Sequence, residues 1–246
     1  HLHDLIFIKN IKSLNHKISF YGKFSKNLNK NNTVKKLFKI LDDYKLLKNK
    51  KFKIKIKKNI PKESGLGGGS MNAANILNFL IKKKIIKINK KKILKISNLI
   101  GSDTILGIRP LNAVLKSNND IKKYSNCNKF YTFLVKPNFG CSTKRIYSGV
   151  KNFTKPKFNN PKKTMFKPKF LLKQDNALEK IAFLKYPKLR RIKCYLENLK
   201  NPIFVRMTGS GSVIIAYYQL KRECELAKVQ FKRKFKNYWC ITSKTI

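Results

Sequence analysis

Residues 51–81 hold the feature that most restricts how this chain can fold. In KFKIKIKKNI, Phe52, Ile54 and Ile56 alternate strictly with Lys51, Lys53, Lys55 and Lys57. A period of two is that of a half-buried strand. The strand runs into Pro61-Lys62-Glu63-Ser64-Gly65-Leu66-Gly67-Gly68-Gly69-Ser70-Met71, and Ala73, Ala74, Ile76, Leu77, Leu80 and Ile81 then recur at helical spacing. Strand, glycine turn and helix in this order form an anion site. Without Cβ atoms, successive backbone N–H groups can converge on a phosphate, and the positive end of the helix adds to the attraction. The turn is not a Walker A loop, because no Gly-Lys-Ser/Thr follows, and Ser70 stands where a dinucleotide fingerprint needs its last glycine. A flexible connection is the alternative, but four glycines in five residues are costly to order for that purpose alone.

Around this unit the chain reads as mixed α and β. Short strands are expected at 5–8 and 17–22, and a helix opens at Asn32-Thr33 with either residue as N-cap. A second helix covers about 90–100 and stops at Gly101. Another unit is expected to begin with a strand at 130–135. Residues 151–170, with Pro156, Pro161 and Pro168, read as an irregular connection. Helices at about 175–184 and 187–199 lead to strands 203–207 and 213–218 around Thr208-Gly209-Ser210-Gly211-Ser212. A helix over 221–235 and a strand over 238–242 complete the reading.

Composition narrows the function. The chain of 246 residues carries 58 Lys+Arg against 11 Asp+Glu, a formal charge of +47. Lysine interrupts every apolar stretch before the roughly 18 residues a membrane helix needs, so no membrane partner is expected. The five cysteines form no C-x-x-C pair, and all three histidines lie within the first sixteen residues. No Cys/His zinc constellation results, and a Ser-His-acid triad is unsupported, because no Gly-x-Ser-x-Gly elbow has a downstream His. With no charged-then-apolar leader ahead of LHDLIFI, free thiols in a reducing, cytoplasmic compartment are expected. A basic nucleic-acid-binding protein is the reading from another class, supported by phenylalanines interleaved among lysines in KPKFNNPKKTMFKPKF. Because lysine is spread over the whole chain, a solvated surface and no specific nucleic acid are expected.

Four ordered stretches carry a resemblance. PKESGLGGGSMNAA resembles the ATP-binding motif of the GHMP small-molecule kinases. Ile100-Gly101-Ser102-Asp103 is similar to the family's L-G-A-D segment, whose Asp is the catalytic carboxylate. Lys136-Pro137-Asn138-Phe139-Gly140-Cys141-Ser142-Thr143 resembles its P-x-x-x-x-S-T stretch, and Arg206 to Ser212 its C-terminal glycine motif. The triple glycine followed by Ser-x-Asn-Ala-Ala is similar to the branch that phosphorylates a hydroxyl on a small molecule carrying a cytidine diphosphate, in isoprenoid-precursor synthesis.

The resemblance implies a two-domain α+β fold. Residues 1–128 would form an ATP-binding domain of the ribosomal-S5-domain-2-like type, and residues 129–246 a ferredoxin-like domain. The family's opening P-A-K-x-N strand and G-Y-H segment do not occur here, so the first domain is expected to be N-terminally truncated. A catalytically inactive fragment is therefore a further alternative. Residues 61–71 would hold ATP, and Ser70 would reach Mg2+, since Met71 replaces the family's second serine. Asp103, the only carboxylate between Ser64 and Asn119, would take the hydroxyl proton. Local sequence leaves it open whether Asp103 only caps the next turn. Gly209, Ser210, Gly211 and Thr143 would face substrate or phosphate, and Asn32 the adenine, though each type is equally at home in a turn or cap. A monomer or homodimer is expected.

Overall fold

The computed structural model describes residues 2–26, 28, 31–118 and 120–246. They pack as two compact units. The first is His3–Lys62 with Gly67–Pro110; the second is Leu111–Ile246 together with Leu2 and Glu63–Leu66. The chain between 62 and 67 thus leaves the first unit, enters the second for four residues and returns.

The first unit contains β1 (Leu5–Ile11), β2 (Lys17–Tyr21), α1 (Thr33–Asp43), β3 (Lys51–Lys57), α2 (Gly68–Lys82), α3 (Lys90–Ile100) and the single turn α4 (Thr104–Gly107). Its sheet has the order β1-β3-β2, with β3 antiparallel to β1 and parallel to β2. The alternation read in β3 decides what faces the core. Phe52, Ile54 and Ile56 are at most 2% exposed against Leu37, Leu41, Ile76, Leu77 and Leu80, while the lysines face outward. On that outer face Lys53 lies between Lys9 and Lys17 on the neighbouring strands. Asn32 is the N-cap of α1, its Oδ1 accepting from the N–H groups of Val34 and Lys35 at 3.1 Å. Gly101 closes α3 with φ 167°, an extended conformation rather than a left-handed cap.

The second unit begins earlier than the strand at 130 suggested. A hairpin, β4 (Asn112–Leu115) with β5 (Ile121–Tyr124), precedes β6 (Tyr131–Lys136). Then come α5 (Thr143–Tyr147), a 3-10 turn (Lys163–Phe166), α6 (Pro168–Leu172), α7 (Glu179–Lys185), α8 (Pro187–Glu197), β7 (Phe204–Met207), β8 (Ile214–Tyr218), α9 (Lys221–Lys234) and β9 (Trp239–Lys244). The sheet is antiparallel in the order β7-β8-β6-β9. With helices between β6 and β7 and between β8 and β9, this is the βαββαβ ferredoxin-like arrangement. Leu189, Ile192, Leu196, Ala227 and Phe231 pack on Phe133, Val135 and Ala216 to form its core. The stretch read as irregular over 151–170 is so only as far as Lys162, after which the 3-10 turn begins, and Pro168 occupies the first turn of a helix, where its missing N–H costs nothing.

Candidate active site

In the first unit the glycine turn opens α2. Gly67 is the N-cap with φ 64°, in the left-handed region that favours glycine, and no side chain caps the helix. A Cβ placed on Gly67 would meet nothing within 4 Å. The first N–H groups of this 15-residue helix thus have no side-chain cap, and the space beside the Gly67 α-carbon is open, an arrangement suited to an anion. Thr33 Oγ1 donates to Gly69 O at 2.8 Å, tying the start of α1 to the turn. Asn32 is thereby placed next to a residue that touches the turn, with its side chain used for capping.

The segment that bears Asp103 packs against α2. Gly107 lets α4 lie against α2: a Cβ there would stand 2.7 Å from Ala74 Cβ and 3.0 Å from Met71 Sδ. Asn78 Nδ2 donates to Gly107 O at 3.1 Å. Met71 is thus a packing residue between α2 and α4. A Cβ on Gly101 would lie 3.8 Å from Ser70 Oγ, so the Ser70 hydroxyl sits beside the segment that bears Asp103. Asp103 occupies the N-cap position of α4 but makes no side-chain capping bond. Its exposed carboxylate accepts from Ser102 Oγ at 3.4 Å. Capping, the alternative left open by local sequence, does not occupy the Asp103 carboxylate.

The second unit holds the start of the turn and the C-terminal glycine loop. Glu63 O accepts from the N–H groups of Cys141 and Ser212, both at 3.1 Å, and Ser64 O from Val213 N at 3.1 Å. Thr208 Oγ1 donates to Gly65 O at 3.1 Å. Gly65, with φ 72°, lies so close that a Cβ would be 2.0 Å from Thr208 O. Gly209 and Gly211 have φ 51° and 82°, and Gly211 N closes the loop onto Thr208 O at 2.9 Å. The hydroxyls of Thr143 and Ser210 are 2.9 Å apart. Pro61, at the end of the first unit's stretch, is buried, and Lys62 is exposed.

Two groups escape a reading by motif. Asn176 Nδ2 donates to Met207 O at 2.9 Å and Gly209 O at 2.8 Å, and Glu179 Oε1 accepts from Met207 N at 2.6 Å. Lys193 Nζ, 2.9 Å from Glu179 Oε2, balances that carboxylate, and Glu179 holds the ammonium above the usual lysine range against the effect of its burial. Together they fix the strand that leads into Gly209. In the first unit, Asp4 and Lys58 form a buried ion pair under the start of α2.

Burial pushes the Cys141 thiol up to about 11, opposed by Lys136 and reinforced by Glu63, which makes it a packed, inert thiol rather than a nucleophile. Among the described residues no His/Cys/Asp/Glu group could hold a metal by itself. No helix among them is long and apolar enough to cross a membrane.

The model of the GHMP kinases N terminal domain matches residues 32–109 of the chain, the segment that carries both the turn and Asp103. The fold and these motifs define the class: a GHMP kinase, an ATP-dependent phosphotransferase. The 4-diphosphocytidyl-2-C-methyl-D-erythritol kinase of Pelagibacter ubique is 59% identical over 245 residues, covering 100% of this chain and 87% of the relative. That of Petrotoga mobilis is 33% identical over 193 residues, covering 75% and 74%. The chain belongs to the 4-diphosphocytidyl-2-C-methyl-D-erythritol kinase family. A crystal structure of 4-(cytidine 5'-diphospho)-2C-methyl-D-erythritol kinase has the same fold, with TM-score 0.75 and 20% identity over 100% of this chain and 87% of that one. So does the homoserine kinase of Cytophaga hutchinsonii, with TM-score 0.73 and 16% identity over 99% and 85%.

Proposed function

We propose that the chain transfers the γ-phosphoryl group of ATP to the 2-hydroxyl of 4-diphosphocytidyl-2-C-methyl-D-erythritol, in the cytoplasm, as a step in isoprenoid-precursor synthesis. The observation that carries this reading is the 59% identity with the Pelagibacter ubique kinase along the whole chain. In the balanced reaction the hydroxyl oxygen bonds to Pγ, the bond from Pγ to the β,γ-bridging oxygen breaks, and ADP leaves.

The residues divide the work as follows. The N–H groups at the start of α2, with Gly67, Gly68 and Gly69, hold phosphate, and Glu63–Leu66 shape the entry to that turn. Asp103, whose carboxylate is exposed and not engaged in capping, takes the proton as the hydroxyl attacks. Mg2+ suits this donor set only as a phosphate-bound ion completed by Ser70 Oγ, since magnesium keeps waters and needs few protein ligands. It would neutralise charge on the phosphates. The Thr143–Ser210 hydroxyl pair and the Gly209–Gly211 loop bind substrate or phosphate, and the start of α1 at Asn32 lies on the adenine side. The unit His3–Lys62 with Gly67–Pro110 then serves as the nucleotide domain and the unit from Leu111 onward as its partner domain.

The test is direct. The purified chain, given ATP and 4-diphosphocytidyl-2-C-methyl-D-erythritol, forms the 2-phosphate and ADP in equal amounts, and homoserine or mevalonate gives no product. Asp103→Asn lowers kcat by about 10²–10⁴-fold, the range for loss of a positioned acid–base group, with ATP affinity retained. Turnover of mevalonate or homoserine in place of the cytidyl compound would refute the substrate, and comparable turnover by Asp103→Asn would refute the role of that carboxylate.

A further inference from the structure

The glycine turn is held in the first unit by a carboxylate that no motif announces. Asp4 stands just ahead of β1, and its side chain is 0% exposed. Asp4 Oδ1 accepts from the N–H groups of Asn59 and Ile60, both at 2.8 Å. Those residues are the exit from β3. Asp4 Oδ2 accepts from Asn72 Nδ2 at 2.8 Å, in the second turn of α2, and pairs with the Lys58 ammonium, which is itself 6% exposed. One carboxylate therefore takes four donors, three from the segment before the glycine turn and one from the helix after it. The Lys58 ammonium also lies 3.6 Å from where a Cβ of Gly68 would stand, directly under the first residue of α2.

Each end of a glycine-rich turn must be fixed if its N–H groups are to stay aimed at one point, because glycine loses more backbone freedom on ordering than any other residue. A turn ordered before the ligand arrives saves that cost at binding. Removing one partner of a buried ion pair leaves an uncompensated charge, whereas replacing both is tolerated far better.

We propose that Asp4 is the positioning residue of the nucleotide turn, clasping its entry at 58–60 and its exit at Asn72 so that the start of α2 is preformed for phosphate. This rests on the reading of residues 61–71 as the ATP site. The Asp4–Lys58 pair is not itself a phosphate ligand, since the carboxylate cancels the charge of the ammonium.

The experiment compares the unaltered chain with three variants, reading the thermal midpoint, the Kd for ATP by titration, and KM for each substrate. Asp4→Ala lowers the midpoint by leaving Lys58 buried and unpaired. Asp4→Ala/Lys58→Met removes both charges and recovers most of the midpoint, yet keeps Kd and KM for ATP raised about tenfold while KM for the cytidyl substrate is unchanged. Asp4→Asn/Lys58→Met restores the ATP constants, because Asn at position 4 still accepts from Asn59 and Ile60 and can pair with the Asn72 amide. A folded Asp4→Ala/Lys58→Met that binds ATP as the unaltered chain does would overturn the proposal, and so would equal weakening for both substrates. If the unaltered chain fails to bind ATP, the nucleotide-site reading falls, and that is a separate result from any variant's behaviour.

Discussion

Two glycines two positions apart can be tested for different duties by the same substitution. A Cβ on Gly65 would stand 2.0 Å from Thr208 O and 2.9 Å from its carbonyl carbon, whereas on Gly67 it would meet nothing within 4 Å. Both have positive φ, 72° and 64°. Alanine at Gly67 therefore costs only the left-handed backbone, about 1–2 kcal/mol. Alanine at Gly65 costs the same and must also push Thr208 away by about 1 Å, since carbon and oxygen do not pack at 2.0 Å. That displacement threatens the bonds Thr208 Oγ1 to Gly65 O and Val213 N to Ser64 O, each 3.1 Å. At roughly 1 kcal/mol per hydrogen bond, Gly65→Ala should cost on the order of 3–4 kcal/mol in all. The ligand side reverses the order of informativeness. If phosphate fills the open space at Gly67, the new methyl group enters it, and KM for ATP rises about tenfold or more with little stability lost, tenfold being about 1.4 kcal/mol. Denaturant unfolding followed by steady-state kinetics on both variants checks this. Equal loss of stability in the two would refute the packing argument, and an unchanged KM for ATP in Gly67→Ala would refute the placement of phosphate at the turn.

Two further outcomes are expected. Asn176→Ala removes donors from Met207 O and Gly209 O and should cost about 2 kcal/mol in denaturant unfolding. Asn176→Asp should do no better, because a carboxylate cannot donate to either carbonyl; full stability in either variant would dismiss the clasp. His16 Nδ1 accepts from Phe52 N at 3.0 Å and its Nε2 lies 3.2 Å from Asp42 Oδ2. Burial, only partly offset by Asp42, lowers its pKa below the ordinary 6.5. The unfolded chain therefore binds the proton more readily, and stability present above about pH 6.5 is lost as the pH falls, with a slope of at most about 1.4 kcal/mol per pH unit. His16→Gln should flatten that part of the stability profile, and an identical profile would exclude His16 as its source.

What could be read from the sequence follows from the range over which each signal acts. The alternation in β3, the periodicity of α1, α2 and α3, and the run of glycines are local, so they announce themselves. Fold and family followed from four such stretches in order. Asp103 was visible by type and motif, yet only the packing of Gly107 on Met71 and Ala74 shows how its segment lies against α2. The hairpin β4–β5 is four residues a side without clean alternation, and α5 is five residues long, so neither gives a pattern to read. Helix α7 begins at Glu179 rather than 175, because Asn176 turns its amide to β7 and accepts from Leu178 N at 3.0 Å. Asp4 is separated from Lys58 by 54 positions, and in a chain so rich in lysine no residue type singles out Lys58 as buried.

The excursion of Glu63–Leu66 into the second unit bears on how the chain is made. Glu63 and Ser64 are held by backbone bonds to Cys141, Ser212 and Val213, which a ribosome adds some 80 to 150 residues later. The sheet of the first unit and the start of α2 can form while the rest is still being synthesised, but the carbonyls of Glu63 and Ser64 lack their Ser212 and Val213 partners until the chain has nearly reached β8. A nascent chain released before Val213 should thus possess a folded first unit and an unfinished turn. The glycine turn is then completed in a late step, when residues near the C-terminal sheet bond to a segment made near the beginning.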